Sequence, residues 1–157
     1  MSDITGEDVQ LVSFRVGRQE FAFDILQIQR IVRYEPPAPL PQAPAFLEGV
    51  VQYAGGAVAV VDLRKRFELD APVREETRMM IVDLGDQRVG VVVDEVREVL
   101  RVDSTAIAAP APIVSGLAAA YIAGIVTRPG RTILILNARK LLTSIERIAL
   151  SAIESPR

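Results

Sequence analysis

Hydrophobic positions in this chain recur mostly with a period of two, in short runs broken by turn residues. Val9, Leu11, Phe14 and Val16 lead into Gly17 and predict a strand over 9–16. Phe21 and Phe23, set between Glu20, Ala22 and Asp24, predict a second strand. Asp24 is placed to cap a short turn or helix over 25–32, with Ile25, Ile28 and Val32 on one face. Five of the 10 prolines fall between Arg33 and Ala45. Proline lacks a ladder donor and fixes φ, so an extended crossing segment is expected there.

Runs 46–53 and 57–62 flank Gly55-Gly56 and read as a hairpin. A short amphipathic stretch follows over 63–69, then a polar loop to Thr77. Runs 79–84 and 88–94 form another hairpin around Gly85-Asp86-Gln87. Val96, Val99 and Val102 continue as a strand or an irregular helix. Runs 121–127 and 132–136 pair around Pro129-Gly130. Asn137 caps the one long helix, expected to reach about residue 154, with Leu141, Leu142, Ile145, Ile148 and Ala149 as its apolar face. No simple repeat stands out. Some nine short strands with turn punctuation argue for an all-β barrel or sandwich.

Composition narrows the chemistry. The 157 residues suit one domain, read as 9–150 between tails 1–8 and 151–157. There is no Cys, which excludes disulfides and thiolate metal sites. There is no His, the usual imidazole base and the commonest zinc ligand. Net charge is −2, without the basic excess of a nucleic-acid binder. No signal peptide pattern opens the chain. Residues 104–127 carry no charge, but Pro110, Pro112, Gly116 and Gly124 interrupt them and Ala is abundant. A small-residue loop leading into a buried strand fits better than a membrane span.

No catalytic constellation emerges. Asp94 and Glu95 are strand neighbours and should point apart, with Asp94 at a strand end entering a solvated turn. Ser104, Ser115, Thr127 and Ser144 have no His to activate them. Gly55-Gly56 fits a turn rather than a phosphate loop. Arg64-Lys65-Arg66 reads as a solvated basic face or as part of an intramolecular salt bridge. Strand faces and edges remain as docking surfaces, so a binding module is expected and no cofactor or metal.

Residues 49–67, GVVQYAGGAVAVVDLRKRF, resemble the central signature of the CheW family, G-V-x-N-L-R-G-x-x-V-P-V-x-D-L-R-x-x-F. Gly49, Val50, Gly55, Val58, Val60, Asp62, Leu63, Arg64 and Phe67 match it. Ala54 stands where the family has Arg, Gln52-Tyr53 where it has Asn-Leu, and Ala59 where it has Pro. Phe14-Arg15-Val16 with 20–25 resembles the family's opening F-x-L … E-x-Y-x-I-D-I. Residues 28–31 fall on V-x-E-I, 44–50 on P-x-F-I-x-G-V, 121–125 on Y-I-x-G-I, and 133–142 on the I-L-L-D-x-x-K-L-L ending.

The resemblance implies a mainly β fold: two interlaced five-stranded SH3-like barrels with short helices and a C-terminal helix. It implies a non-catalytic cytoplasmic adaptor, recruited to membrane-associated arrays. Such an adaptor couples the cytoplasmic tips of methyl-accepting chemoreceptors to the regulatory domain of a CheA-type histidine kinase. It needs no cofactor, nucleic acid or membrane insertion. A length of 157 residues leaves no room for a kinase core or receiver domain, which suits a free-standing adaptor. Receptor-facing positions carried over are Ile28, Arg30, Ile31, Gly49 and Ala54. Kinase-facing positions are Pro37, Ala38, Arg78 and Met79. Arg30 in place of an acid and Ala54 in place of Arg imply a divergent receptor surface. A scaffold of the same fold in pilus or second-messenger control, with a changed partner, is the alternative.

Overall fold

Up to residue 136 the apolar runs of this chain are short and bounded by closely spaced turns, and they pair as strands. A computed structural model describes residues 7–143 apart from Asp86, 110–112, 115–116 and 119–120. Among the described residues there are twelve strands. They are β1 (Asp8–Val16), β2 (Gln19–Asp24), β3 (Ile28–Arg33), β4 (Leu47–Tyr53), β5 (Gly56–Asp62), β6 (Arg78–Asp83), β7 (Arg88–Val93), β8 (Glu95–Asp103), β9 (Ile113–Val114), β10 (Leu117–Ala118), β11 (Ile122–Arg128) and β12 (Arg131–Leu136). A one-turn helix α1 (Leu63–Arg66) follows β5, and residues 138–143 are helical after β12. The rest of the expected long helix and both outer tails, 1–6 and 151–157, lie outside the described residues.

The strands form two five-stranded sheets and one small hairpin, β9–β10. Sheet I runs β11-β12-β2-β1-β8, and sheet II runs β4-β5-β7-β6-β3. Both have one parallel junction at the same place, β12–β2 and β5–β7, with antiparallel pairs elsewhere. In each, a single bridge returns the chain after the last strand to the first: Ala38 to Val50 in sheet II, Ala108 to Ile125 in sheet I. This is the mainly β fold expected, with five strands on each side. Sheet II uses five consecutive strands. Sheet I takes two from before them and three from after, which is the interlacing.

The corresponding hairpins match residue by residue at a constant spacing. Gly49 answers to Gly124, Val50 to Ile125, Gly55 to Gly130, Asp62 to Asn137 and Arg64 to Arg139. The β4–β5 ladder slips between Leu47 and Gly49, and the β11–β12 ladder slips between Ile122 and Gly124. Asp62 N donates to Phe46 O and Asn137 N to Tyr121 O, both at 2.8 Å. Few identities survive, so the repeat escapes a reading of the sequence alone.

Three clusters make the core. The largest lies between the sheets, with Phe14, Phe21, Phe23 and Leu134 from one side and Met80, Val82, Val91 and Val93 from the other. Phe14 and Phe23 have ring centroids 5.0 Å apart, worth about 1 kcal/mol beyond simple burial. The outer face of each sheet covers a smaller cluster. Leu11, Leu100, Val126 and Ile133 make that of sheet I, and Val60, Met79, Ile81 and Val92 that of sheet II. Burial on both faces explains why 79–82, 91–93 and 133–136 are continuous apolar runs and not alternating ones.

Some local expectations are corrected. The helix expected over 25–32 stops after one 3₁₀ turn, Ile25–Gln27, capped by Asp24. Ile28, Ile31 and Val32 are β-branched, and β3 gains a full ladder with β6 instead. The 104–127 stretch holds a 3₁₀ turn, Ser104–Ala106, and the β9–β10 hairpin before β11. No helix among the described residues is long and apolar enough to cross a membrane.

Candidate functional site

Arg64 and Asp62 are the most deeply buried charges among the described residues, each with 1% of its surface exposed. Arg64 sits in the second turn-residue of a strand-to-helix corner capped by Asp62, whose Oδ1 accepts from Arg64 N at 2.9 Å. Its Nε and Nη2 donate to the two oxygens of Asp62 at 3.0 and 2.9 Å. Nη1 donates to Pro72 O at 2.7 Å and to Asp94 Oδ1 at 3.2 Å. The other Asp94 oxygen accepts from Gly17 N at 2.7 Å. Burial works against the guanidinium charge, and the bonds from Asp62 and then Asp94 more than offset it, raising the Arg64 pKa.

This network changes two sequence readings. Asp94 is not at a solvated turn, since 8% of it is exposed and its carboxylate is bonded on both oxygens. Its neighbour Glu95 is partly exposed and shares Arg15 with it, at 3.3 Å from Glu95 and 4.0 Å from Asp94. The basic run divides: Arg64 is the intramolecular salt bridge, while Lys65 reaches Glu48 at 2.5 Å on the surface. The cluster therefore joins β5, the Pro72 loop and the β1–β2 turn, tying sheet II to sheet I. It offers a substrate no free group. Among the described residues no set of acids is arranged to hold a metal.

The exposed positions among those carried over from the family motif lie on sheet II and the segment along it. The strand β3 is its edge, carrying Arg30 and Ile31 outward, with Ile31 40% exposed. Ile28 is half-buried against the shared core. The β4–β5 turn carries Ala54, exposed, at φ 50° beside Gly55 at 83°. Both central residues in the left-handed region make a tight two-residue hairpin turn, strained for alanine. Arg88 of β7 stands near this turn, 5.5 Å over the Tyr53 ring. A basic group therefore flanks the turn although Ala54 carries none; its position in a different strand hid it from motif reading.

Gly49 and Met79 are placed differently. Gly49 is buried under the proline segment, and a Cβ there would come 1.9 Å from Ala38 O. Its φ of 147° also disfavours a side chain. Met79 is 5% exposed and packs with Val60 and Ile81. Ala38 is exposed, bridges Val50 and lies over Gly49, so a position of the kinase set rests against one of the receptor set. Pro37 lies one residue before it. Arg78 begins β6, directly across from Arg33. All nine positions thus belong to sheet II or the crossing segment along it.

Elsewhere, sheet I carries a surface ion network. Arg131 bonds both oxygens of Glu20 and lies 2.6 Å from Glu98. The Arg131 bond holds the Glu20 carboxyl below its usual range against the opposing effect of burial. Tyr34 is pushed up to about 12, by burial and by its bond to Glu48.

Residues 10–146 match the CheW-like domain. The chain belongs to the CheW family. It is 31% identical to the chemotaxis protein CheW of Rhizobium meliloti over 147 residues, 93% of this chain and 95% of that one. It is 28% identical to CheW of Treponema pallidum, over 91% of this chain and 87% of the relative. The scaffolding protein TtCheW of Thermoanaerobacter tengcongensis has the same fold, with a TM-score of 0.79 at 27% identity over 86% of this chain and 88% of the other. For a CheW-family chain, the Asp62-Leu63-Arg64 part of the signature reads as the buried corner that joins the sheets, and the altered 52–54 part as exposed turn.

Proposed function

We infer that the chain works as a chemotaxis coupling adaptor, a protein that acts by binding and not by catalysis. The observation that carries this is the family match, which runs nearly end to end at the sequence level and recurs in the fold. The adaptor joins a chemoreceptor's cytoplasmic tip to the regulatory domain of a CheA-type kinase, in the cytoplasm at a membrane-associated array. Arg30 and Ile31 on β3 and the Ala54 turn face the receptor, with Ile28 and Gly49 shaping the surface from beneath. Pro37, Ala38 and Arg78 face the kinase, and Met79 supports them from the core.

The receptor surface is the divergent part. Arg30 reverses the charge usual at its position, and Arg88 supplies a cation from β7 beside a turn that lacks its own. Desolvated interface charges discriminate between partners more than they raise affinity for all. Pull-downs against the kinase regulatory domain, a typical receptor hairpin and the cognate receptor hairpin test this. The wild type should capture the kinase domain and the cognate hairpin. Arg30→Glu with Ala54→Arg should shift capture toward the typical hairpin. Equal capture of both hairpins by both proteins would sink the divergent-surface reading.

A further inference from the structure

The end of sheet II carries a concentration of positive charge that neither the fold nor the buried network uses. Arg33 closes the β3–β6 ladder directly opposite Arg78. Like charges at such a pair repel. A cleft of about 230 Å³ opens beside them, lined by Arg33, Tyr34, Arg74, Glu75, Thr77 and Arg78. Three of its six lining residues are arginines, in a chain whose net charge is −2.

The cleft is built on fixed backbone. Arg74 N donates to Thr77 Oγ1 at 2.9 Å, and Thr77 is buried. Arg78 Nη1 donates to the carbonyls of Glu75 and Thr77 at 2.6 and 3.0 Å. Its guanidinium is thereby held at the rim with donors to spare. Glu48, the acid that Tyr34 bonds, is already engaged by Tyr34 and Lys65. Among the described residues, the side chains of Arg33 and Arg74 have no ion pair.

Sheet I shows that the charge is not a requirement of the architecture. The matching last pair of its β1–β8 ladder is Asp8 opposite Asp103. There Arg101 lies 3.9 Å from Asp8 and offsets the repulsion from within the chain. At the Arg33–Arg78 end three arginines share the lining with one acid, Glu75, whose carboxylate forms no ion pair with any of them, so positive charge is left in excess.

We propose that this cleft docks an acidic segment of a protein partner, with carboxylates entering between Arg33, Arg74 and Arg78. Arginine forks match carboxylates in a two-point geometry that a lysine cluster would not give. The volume lies below the roughly 300–1,000 Å³ that encloses a drug-sized ligand, so it suits acidic side chains and not a whole nucleotide. Val73, 61% exposed and next to Arg74 in the chain, offers an aliphatic neighbour of the segment somewhere to rest. The proposal deepens the adaptor reading and rests on it for which protein carries the segment.

The test uses the full chain and a labelled ten-residue peptide with a Glu-Glu pair beside a Leu, followed by fluorescence anisotropy. A Gln-Gln peptide is the control. The acidic peptide should bind, and affinity should fall about tenfold or more in Arg33→Glu/Arg74→Glu and as salt rises. Arg18→Glu/Arg128→Glu on sheet I should leave it unchanged. Both arginines of the test pair are exposed, so thermal melts should show an intact fold. Equal affinity in wild type and double variant overturns the proposal, and so does equal binding of the Gln-Gln peptide. Full displacement by millimolar inorganic phosphate overturns it in favour of a small-anion site. Concentration-dependent dimers that the double variant abolishes overturn it in favour of a second copy's Asp8–Asp103 end. In pull-downs, partner capture unaffected by the double variant sinks the cleft alone. No capture by wild type sinks the adaptor reading, with the peptide result still judging the cleft.

Discussion

Sheets I and II share strand order, parallel junction, bulge position and closing bridge, yet they treat equivalent residues differently. Arg64 of the second is buried and bonded to two carboxylates and a carbonyl. Its counterpart Arg139 is exposed, with its guanidinium beside Gly85 at the β6–β7 turn. Each arginine leaves the corner after its hairpin and reaches toward the opposite sheet: Arg64 toward the Gly17 turn through Asp94, Arg139 toward the Gly85 turn. One brace is sealed from water and the other is wet. The same backbone plan therefore tolerates either, and the difference lies in which side carries buried acids to receive the charge.

The sharpest way to break this comparison is to remove both arginines in turn. Arg64→Leu leaves Asp62 buried without a cation and Asp94 with only Arg15, at 4.0 Å, and should cost about 3–5 kcal/mol. Arg139→Leu should cost about 1 kcal/mol or less, as exposed charges do. Urea unfolding of the two variants reads the difference directly. Equal losses would mean that Arg64 is not the main tie between the sheets.

Next come the two glycines under the closing bridges. At Gly49 a methyl would meet backbone, Ala38 O at 1.9 Å, and at Gly124 it would meet a side-chain methyl of Ile107 at 2.2 Å. A side chain can turn aside and a backbone bridge cannot. Gly124→Ala should cost about 1–3 kcal/mol and Gly49→Ala more, with loss of receptor capture as the Ala38 segment lifts. Crystal structures of the pair, or protection of Val50 N–H from exchange, would separate them. Unchanged protection in Gly49→Ala would show that the segment can shift freely.

The smallest expected effect lies at the turns. Pro129-Gly130 needs a positive φ only at its second residue, 71°, whereas Ala54-Gly55 needs one at both. Ala54→Gly should therefore stabilise by roughly 0.5–1 kcal/mol, read as a rise in Tm. A lower Tm would mean that the alanine methyl makes a contact worth more than the strain.

Much of this was legible along the chain. Alternation with Gly, Pro and Asp punctuation located nine strands near their observed ends. The Val91–Val93 and Ile133–Leu136 runs stood out as strands, and their burial on both faces came from the packing of the sheets. The short turn or helix expected over 25–32 holds only as a turn over 25–27, because a short β-branched run fits one face of a helix as well as a strand, and only the partner β6 decides for 28–33. The docking positions were legible as letters on a motif. Their accessibility was not: Gly49 and Met79 lie beneath the surface that Arg30, Ile31 and Ala38 present.

Local sequence by itself determined most of the strands, the capped corners at Asp62 and Asn137, and the Asp-Leu-Arg signature, because these depend on neighbours within a few residues. Tertiary structure alone decided that Arg64 is buried, that Asp94 is its partner, that Arg88 flanks the Ala54 turn and that Arg33 faces Arg78. Each of those pairs brings together residues far apart in the chain, from separate elements or turns. Sheet register sets which of them meet, and burial sets whether a charge is screened by water or held by its partner.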